Sequence, residues 1–440
     1  MVHQKYRTEP LDCFKKGKEL RLDHFRDVIT AKEKGKLLVS GSVTLGGFEI
    51  PAGLGDVICF ADDAYAVTMT TNPAFSKDAY AAAEAKGFSR DICGYTMNYI
   101  GSMFLDRSLF GGDFPKADFI FTAQNCDARG KWSQIVADYL GIPFFVFERP
   151  CGRAGQGTRE RIDYLVDQFN EGIEWMEKIT GRRYDDEKLI EATRNFFRSA
   201  KLWGEIWLLN RTVPAPIDAR SLISLMAAAI WRRHEKAGVD FLEILRDEIR
   251  YRVDNEIAAS QAESCRLLLD NAPPFAAMPM LRETQAKYGI VWLGTMVYAG
   301  LYGELEILED GTVVVAKTPE ERGVVFRERN DAIRAIAEVT ERSWLEQRIA
   351  FPTDVNSSYI ALAKYLRADG ILLDVNRGCP ANSASAPERK FAFMDAGFPV
   401  TMYESNSSRP GDVDLRMIGI VLENLLENLM GLKKLQDRYL

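Results

Sequence analysis

Histidine is scarce, with three in 440 residues: His3, His24 and His234. His3 is terminal, and the other two sit among charged residues on helix-period stretches, which reads as two solvated faces. A histidine-based zinc site or a Ser-His-Asp triad is therefore unsupported. No apolar run approaches the roughly 20 residues that span a bilayer. Positive charge is not in excess either. The net charge of −7 argues against a nucleic-acid or anionic-membrane binder. There is no Gly-x-x-x-x-Gly-Lys-Ser/Thr loop, so the chain is not expected to hydrolyse ATP itself. Gly152-Arg153-Ala154-Gly155-Gln156-Gly157 is glycine-rich but lacks dinucleotide spacing. Residues 1–18 carry charges throughout and no apolar signal core, so a cytoplasmic protein is expected. Compact Cys-x-x-Cys runs are absent too, so any iron–sulfur site must draw on separated cysteines.

What is present is an ordinary globular composition, 47% apolar and 27% charged. Seven cysteines in a cytosolic chain do not suggest a disulfide framework. Cys13, Cys59 and Cys265 read as small buried apolar residues. Cys93, Cys126 and Cys379 differ, because each stands at an expected edge of an element. Residues 117–121 and 370–375 are short apolar runs that suit parallel strands buried on both faces, and they lead to Cys126 and Cys379. In open α/β sheets, ligands bind beyond the carboxyl ends of the strands. The central expectation is that Cys93, Cys126 and Cys379 hold one iron–sulfur cluster. Thiolates suit such clusters, and a cubane normally takes four of them. Three would leave one iron position exchangeable, the mark of a catalytic rather than a closed site. Cys151, after Pro150 at a strand end, is a candidate fourth ligand.

The fold expected is α/β: two open parallel-sheet domains, doubly wound and flavodoxin-like, with a helical segment between them. Residues 1–35 read as a peripheral helical arm and residues 36–157 as a first α/β domain carrying two cluster cysteines. Residues 158–280 form the helical segment, residues 281–420 the second α/β domain with the third cysteine, and residues 421–440 a C-terminal helix. Strands are expected near residues 36–40, 56–60, 117–121, 143–147, 290–294, 370–375 and 398–403. A helix with Ser76 as N-cap is expected over 76–87, and others over 93–103 and 131–140. Glu49 and Asp91 are candidate proton-transfer groups. Ser40 and Ser42 lie in the glycine-rich turn after the first strand, which reads either as a plain loop or as one whose backbone N–H groups face a CoA thioester or the cluster. Glu49 and Ser40 are thus the catalytic candidates, and Ser42 and Asn125 the substrate-binding ones. Asn125 and Asp127 flank a proposed ligand and suit hydrogen bonds to cluster sulfur. Arg149, Arg153, Arg159 and Arg161 read as solvated charges, with CoA phosphate or partner binding as the functional reading.

Several short motifs occur in a fixed order. They are Gly87-Phe88-Ser89-Arg90-Asp91-Ile92-Cys93-Gly94-Tyr95 with Ile100-Gly101, Asn125-Cys126 with Lys131-Trp132, and Gly141-Ile142-Pro143 with Pro150. Ala368-Asp369-Gly370-Ile371-Leu372-Leu373 before Cys379 follows, then Phe398-Pro399-Val400 with Glu404, Asp412 and Arg416. In this order the chain resembles the 2-hydroxyacyl-CoA dehydratase and benzoyl-CoA reductase family, over most of residues 36–430. Its length and the Gly46-Gly47-Phe48-Glu49-Ile50-Pro51-Ala52-Gly53 stretch are most similar to the larger cluster-bearing subunit of ATP-dependent benzoyl-CoA reductase. Asp412 comes later than in the family pattern, after an inserted Arg409-Pro410-Gly411.

The resemblance implies the iron–sulfur subunit of an ATP-dependent, class I aryl-CoA reductase, an oxidoreductase of anaerobic aromatic degradation. Its cofactor would be a 4Fe–4S cluster, single or half of a double cubane. It would work with a homologous second cluster-bearing subunit and an ATP-hydrolysing iron–sulfur activator, with ferredoxin as the upstream donor. A benzoyl-CoA-like thioester would be reduced to a cyclic diene. The alternatives are a subunit of a radical 2-hydroxyacyl-CoA dehydratase, which is a lyase, a non-catalytic electron-relay or scaffold subunit, and a cluster-free protein with three buried cysteines.

Overall fold

A computed structural model describes residues 5–150, 152–153, 156–406 and 408–435. The first sheet contains β1 (Leu37–Gly41), β2 (Val57–Ala61), β3 (Phe119–Gln124) and β4 (Phe144–Glu148). Its order is β2-β1-β3-β4, with every pair parallel. The second part holds β5 (Cys265–Asp270) and β6 (Ile290–Thr295), an antiparallel ribbon of β7 (Leu305–Ile307) and β8 (Val313–Val315), then β9 (Gly370–Asn376) and β10 (Val400–Ser405). The larger sheet here runs β10-β9-β5-β6, again all parallel. Counted from its own first strand, each sheet has the order second, first, third, fourth. The chain is therefore α/β with two flavodoxin-like sheets of one topology, although no sequence repeat announces it. The strands are nearly continuous apolar runs because helices cover both sheet faces. In β5 and β6 every residue is buried.

Three long helices, Thr158–Thr180, Asp186–Leu209 and Lys236–Asp254, fill the stretch between the sheets. Leu165, Phe169, Ile173 and Met176 form the buried stripe of the first, at the spacing of one helix face. Asp185 caps the second by accepting from the N–H groups of Glu187 and Lys188.

The structure departs from the sequence reading in several places. The second sheet opens with β5, inside the stretch read as helical. The helix over Pro73–Ala85 starts three residues before the expected cap and is capped by Asn72, with Pro73 in its first turn. The N-terminal helix Phe14–Thr30 is not peripheral, since Phe25 and Val28 are buried and Phe25 meets Trp231 edge-on at 5.4 Å. His24 is buried and His234 largely so, rather than solvated, and loss of water lowers the pKa of both to about 4. Arg149 and Arg161 are likewise not solvated. They pair with Glu346 and Glu341. The C-terminal helix begins earlier, at Leu415–Glu423, and continues as a wider turn over Asn424–Leu429. Residues 436–440 of the expected helix lie outside the described residues.

Candidate functional site

Each of the three singled-out cysteines is the N-cap residue of a helix. Cys93 precedes Gly94–Phe104, Cys126 precedes Asp127–Leu140, and Cys379 precedes the short Pro380–Ser383. Cys126 follows β3 and Cys379 follows β9, the third strand of each sheet. In this topology the direction of chain progression switches between the first and third strands, and that crevice is the ordinary ligand site. The two switch points face one chamber of ≈ 180 Å³, lined by Cys93, Cys126 and Cys379 together. Ser42 after β1, Ala272 after β5 and Tyr298 after β6 share the lining. Such a volume lies below the ~300–1,000 Å³ of pockets that enclose a whole drug-sized ligand. The chamber has room for a cofactor or for the reacting end of a substrate, not for a whole large ligand.

The sulfur environments follow from this placement. Burial raises the Cys379 thiol to about 12, and the neighbouring Cys93 adds to the rise. Hydrogen bonds from the Asn382 side chain and N–H act the other way. Asn382 Nδ2 lies 3.3 Å from Cys379 Sγ. Cys126 is also raised, by burial and then by Cys93, against the N–H groups of Arg129 and Ala128. Burial thus holds both thiols toward the protonated form, with the Arg129 charge acting the other way on Cys126. A cationic metal centre reverses that preference, because the thiolate is the ligand form. Among the described residues, no three His, Cys, Asp or Glu side chains gather closely enough for one metal ion. Thiolate sulfur is the donor type that iron–sulfur centres take. Three buried polar atoms on the chamber's lining have no hydrogen-bond partner among the described residues: Thr44 Oγ1, Asn125 Oδ1 and Trp132 Nε1. Orphans of this kind mark a place where a bound group completes the hydrogen bonding.

Two buried ion-pair networks brace the cysteine helices. Arg129, one turn into the Cys126 helix, grips Asp62 with both terminal nitrogens at 2.7 and 2.6 Å and donates through Nε to Thr122 at 3.1 Å. Burial pushes the Asp62 carboxyl up to about 6 against the pull of Arg129. Beside Cys379, Arg348 and Arg389 share Asp270 at 2.8 and 2.7 Å. Both also donate to the Asn382 carbonyl, at 3.1 and 3.0 Å. The Cys93 turn is fixed from the other half of the chain, where Arg90 pairs with Asp412 at 2.9 Å.

Of the other sequence candidates, Ser42 and Asn125 line the chamber. Ser42 Oγ donates to Asp63 at 2.8 Å. Ser40 lies behind it, donating to Asp62 at 2.9 Å. Glu49 is remote from the chamber lining and fully buried, paired with Arg233 at 2.7 Å. Arg233 in turn donates to the carbonyls of Val43 and Thr44, so this pair shapes the loop that carries Ser42. Asp91 and Asp127 are exposed. Cys151 lies outside the described residues. Sequence reasoning missed Asp63, which accepts from Ser42 Oγ and the Val43 N–H at the chamber wall. Its signal was available: Asp62-Asp63 directly follows a strand, on the ligand side of the sheet. It also missed the wall of Met226, Ile230 and Trp231, signalled by an apolar run inside an otherwise charged helical stretch.

The family model of the 2-hydroxyglutaryl-CoA dehydratase D-component matches residues 56–284, a little over half of the chain. Cys93 and Cys126 fall inside the match and Cys379 beyond it. The alpha subunit of (R)-phenyllactyl-CoA dehydratase from Clostridium sporogenes is 24% identical over 439 residues, spanning 96% of this chain and 99% of that protein. The alpha subunit of (R)-2-hydroxyglutaryl-CoA dehydratase from Acidaminococcus fermentans is 22% identical over 71% of this chain and 60% of that protein. The alpha subunit of (R)-2-hydroxyisocaproyl-CoA dehydratase from Clostridioides difficile is 25% identical over 49% of this chain and 53% of that protein. These relatives are dehydratase subunits, so the comparisons favour water elimination over the aryl-CoA reduction read from the sequence. With more than half of its residues matched, the chain belongs to the 2-hydroxyglutaryl-CoA dehydratase D-component family.

Proposed function

We propose that this chain is the alpha-type subunit of a 2-hydroxyacyl-CoA dehydratase and holds an iron–sulfur cluster on Cys93, Cys126 and Cys379. The observation that carries the reading is the meeting of three thiols, each at a helix N-terminus, in one chamber between two switch points. Held by these three cysteines, such a cluster would supply one-electron chemistry. The residues of the chain supply the rest. The N-terminal ends of the Cys93 and Cys126 helices favour negative charge on their sulfurs. Asn382 donates to Cys379, and the N–H groups of Ala128 and Arg129 serve Cys126. Ser42 and the Val43 N–H hold Asp63 at the wall, where its carboxylate is placed to carry a proton. The orphaned Thr44 hydroxyl and Trp132 N–H are donors for a thioester oxygen or the centre itself. A second subunit of similar build and an ATP-hydrolysing activator complete the system.

The test is iron and acid-labile sulfide content of the anaerobically purified chain with its co-purifying subunit, for wild type and for Cys93→Ser, Cys126→Ser and Cys379→Ser. About four irons per chain, lost or altered in all three variants, is expected. Addition of activator and ATP should then turn a 2-hydroxyacyl-CoA into the enoyl-CoA. Iron unaffected by the three changes sinks the ligand assignment. A cyclic diene from benzoyl-CoA, with no enoyl-CoA formed, restores the reductase.

A further inference from the structure

Water elimination from a 2-hydroxyacyl thioester leaves the side chain of the acyl group unspecified, and the chamber wall speaks to it. The apolar part of the lining includes Val67, Met226, Ile230, Trp231, Leu301 and Leu345. Three of these come from the helical segment, around the short helix Ala227–Ile230. Trp231 is held in place from behind by Phe25 and His24, at ring separations of 5.4 and 5.7 Å. The wall is thus a braced aromatic and aliphatic surface.

The charges at the chamber point the same way. Among the described residues lining it, the one cationic side chain is Arg129, and its terminal nitrogens are both taken by Asp62. The one carboxylate is Asp63, already served by Ser42 Oγ, the Val43 N–H and the Ala64 N–H. A second carboxylate on the substrate would find no free cation here, only neutral donors such as those of Thr44 and Trp132, and would face Asp63. An unpaired buried charge is strongly disfavoured, whereas an apolar group gains from the same wall.

We infer that the acyl side chain this chamber accepts is apolar, benzyl or branched alkyl, and that an acyl group ending in a carboxylate is rejected. The inference rests on the proposed function for the hydroxyacyl thioester, but its test does not depend on turnover. Binding of 2-hydroxyacyl-CoA thioesters bearing benzyl, isobutyl or carboxyethyl side chains is measured by calorimetry on the assembled enzyme without activator or ATP, with free CoA as reference. The carboxyethyl thioester should bind about a hundredfold more weakly than the benzyl one. Leu345→Lys, which sets a cation in the wall, should narrow that gap at least about tenfold, while Leu345→Met leaves it within about threefold. The wild-type series decides the matter even if the lysine variant does not fold. Equal or tighter carboxyethyl binding overturns the inference, as does binding of none of the thioesters beyond free CoA. If the apolar preference is found but activator and ATP produce no enoyl-CoA, the dehydratase reading fails and the chamber assignment stands.

Discussion

A methyl group at position 378 has nowhere to go. Gly378 has φ +78°, and a Cβ there would lie 2.6 Å from the Ile92 carbonyl oxygen and 2.9 Å from that of Asp91. The turn that presents Cys379 therefore rests directly on the turn that presents Cys93, backbone against backbone. Gly378→Ala should cost about 2–4 kcal/mol, from left-handed strain and from the clash. It should also lower the iron content of the purified protein, because two of the three thiols are pushed apart. Gly111→Ala is the control: φ is +92° but nothing lies within 4 Å, so strain alone remains, about 1 kcal/mol. Denaturant midpoints and iron assays on both variants check this. Equal losses of stability and of iron would show that the contact between the turns is not what places the sulfurs. At this scale the places of Cys126 and Cys379 just past strand ends were legible, because such ends can be read from a run of apolar neighbours. Glu49 was not. Its partner Arg233 lies 184 positions away, and no local pattern in a sequence reports a pairing at that distance.

Elements were legible where the physics is local. Seven of the eight strands in the two parallel sheets follow from apolar runs closed by turn residues, within one to three positions. The eighth, β5, was hidden by Arg266, which breaks the run after Cys265. That arginine is buried, its guanidinium paired with Glu263 and donating to the carbonyls of Thr212, Asn210 and Leu366. Burial of this kind cannot be inferred from neighbours in sequence. The short helix after Cys379 depends on a similar non-local anchor. Asp270 ends β5, and burial alone would raise its carboxyl. Arg348 and Arg389 outweigh that and lower it. Asp270→Asn leaves both guanidiniums buried without a counter-charge, a change worth about 3–5 kcal/mol. Because both arginines hold the Asn382 carbonyl, amide exchange over residues 380–384 should quicken more than exchange in the Cys126 helix. Uniform quickening across both helices would mean the arginine pair supports the domain rather than the Cys379 turn.

Across the whole molecule, buried polar contacts lock the two sheets and the helical segment into one unit. Arg233 reaches Glu49 and two carbonyls of the β1 loop on one side, and the Tyr302 hydroxyl on the other at 3.0 Å. Asn98 of the first half donates to the Ser408 carbonyl of the second at 3.0 Å. Such a body carries titratable groups deprived of water, and they pull stability in opposite directions with pH. Burial raises Asp374 to about 7, with one Ser405 hydrogen bond at 2.7 Å opposing it and the other carboxyl oxygen unpartnered among the described residues. Burial raises Glu304 to about 7 as well. The folded protein thus binds protons at these carboxyls more tightly than the unfolded chain does. Their contribution is full below about pH 4 and is lost as pH rises through about 7. His24 and His234, lowered to about 4, do the reverse, losing stability as pH falls from about 6.5. Asp374→Asn keeps the shape and the acceptor for Ser405 but cannot ionise. Relative to wild type, the variant should gain on the order of a few kcal/mol between pH 5 and pH 8, and level off above that. Parallel denaturation curves across this range measure the difference directly. A difference that stays constant with pH would mean that Asp374 is already ionised at pH 5, and that the end of β9 is wetter than its packing indicates.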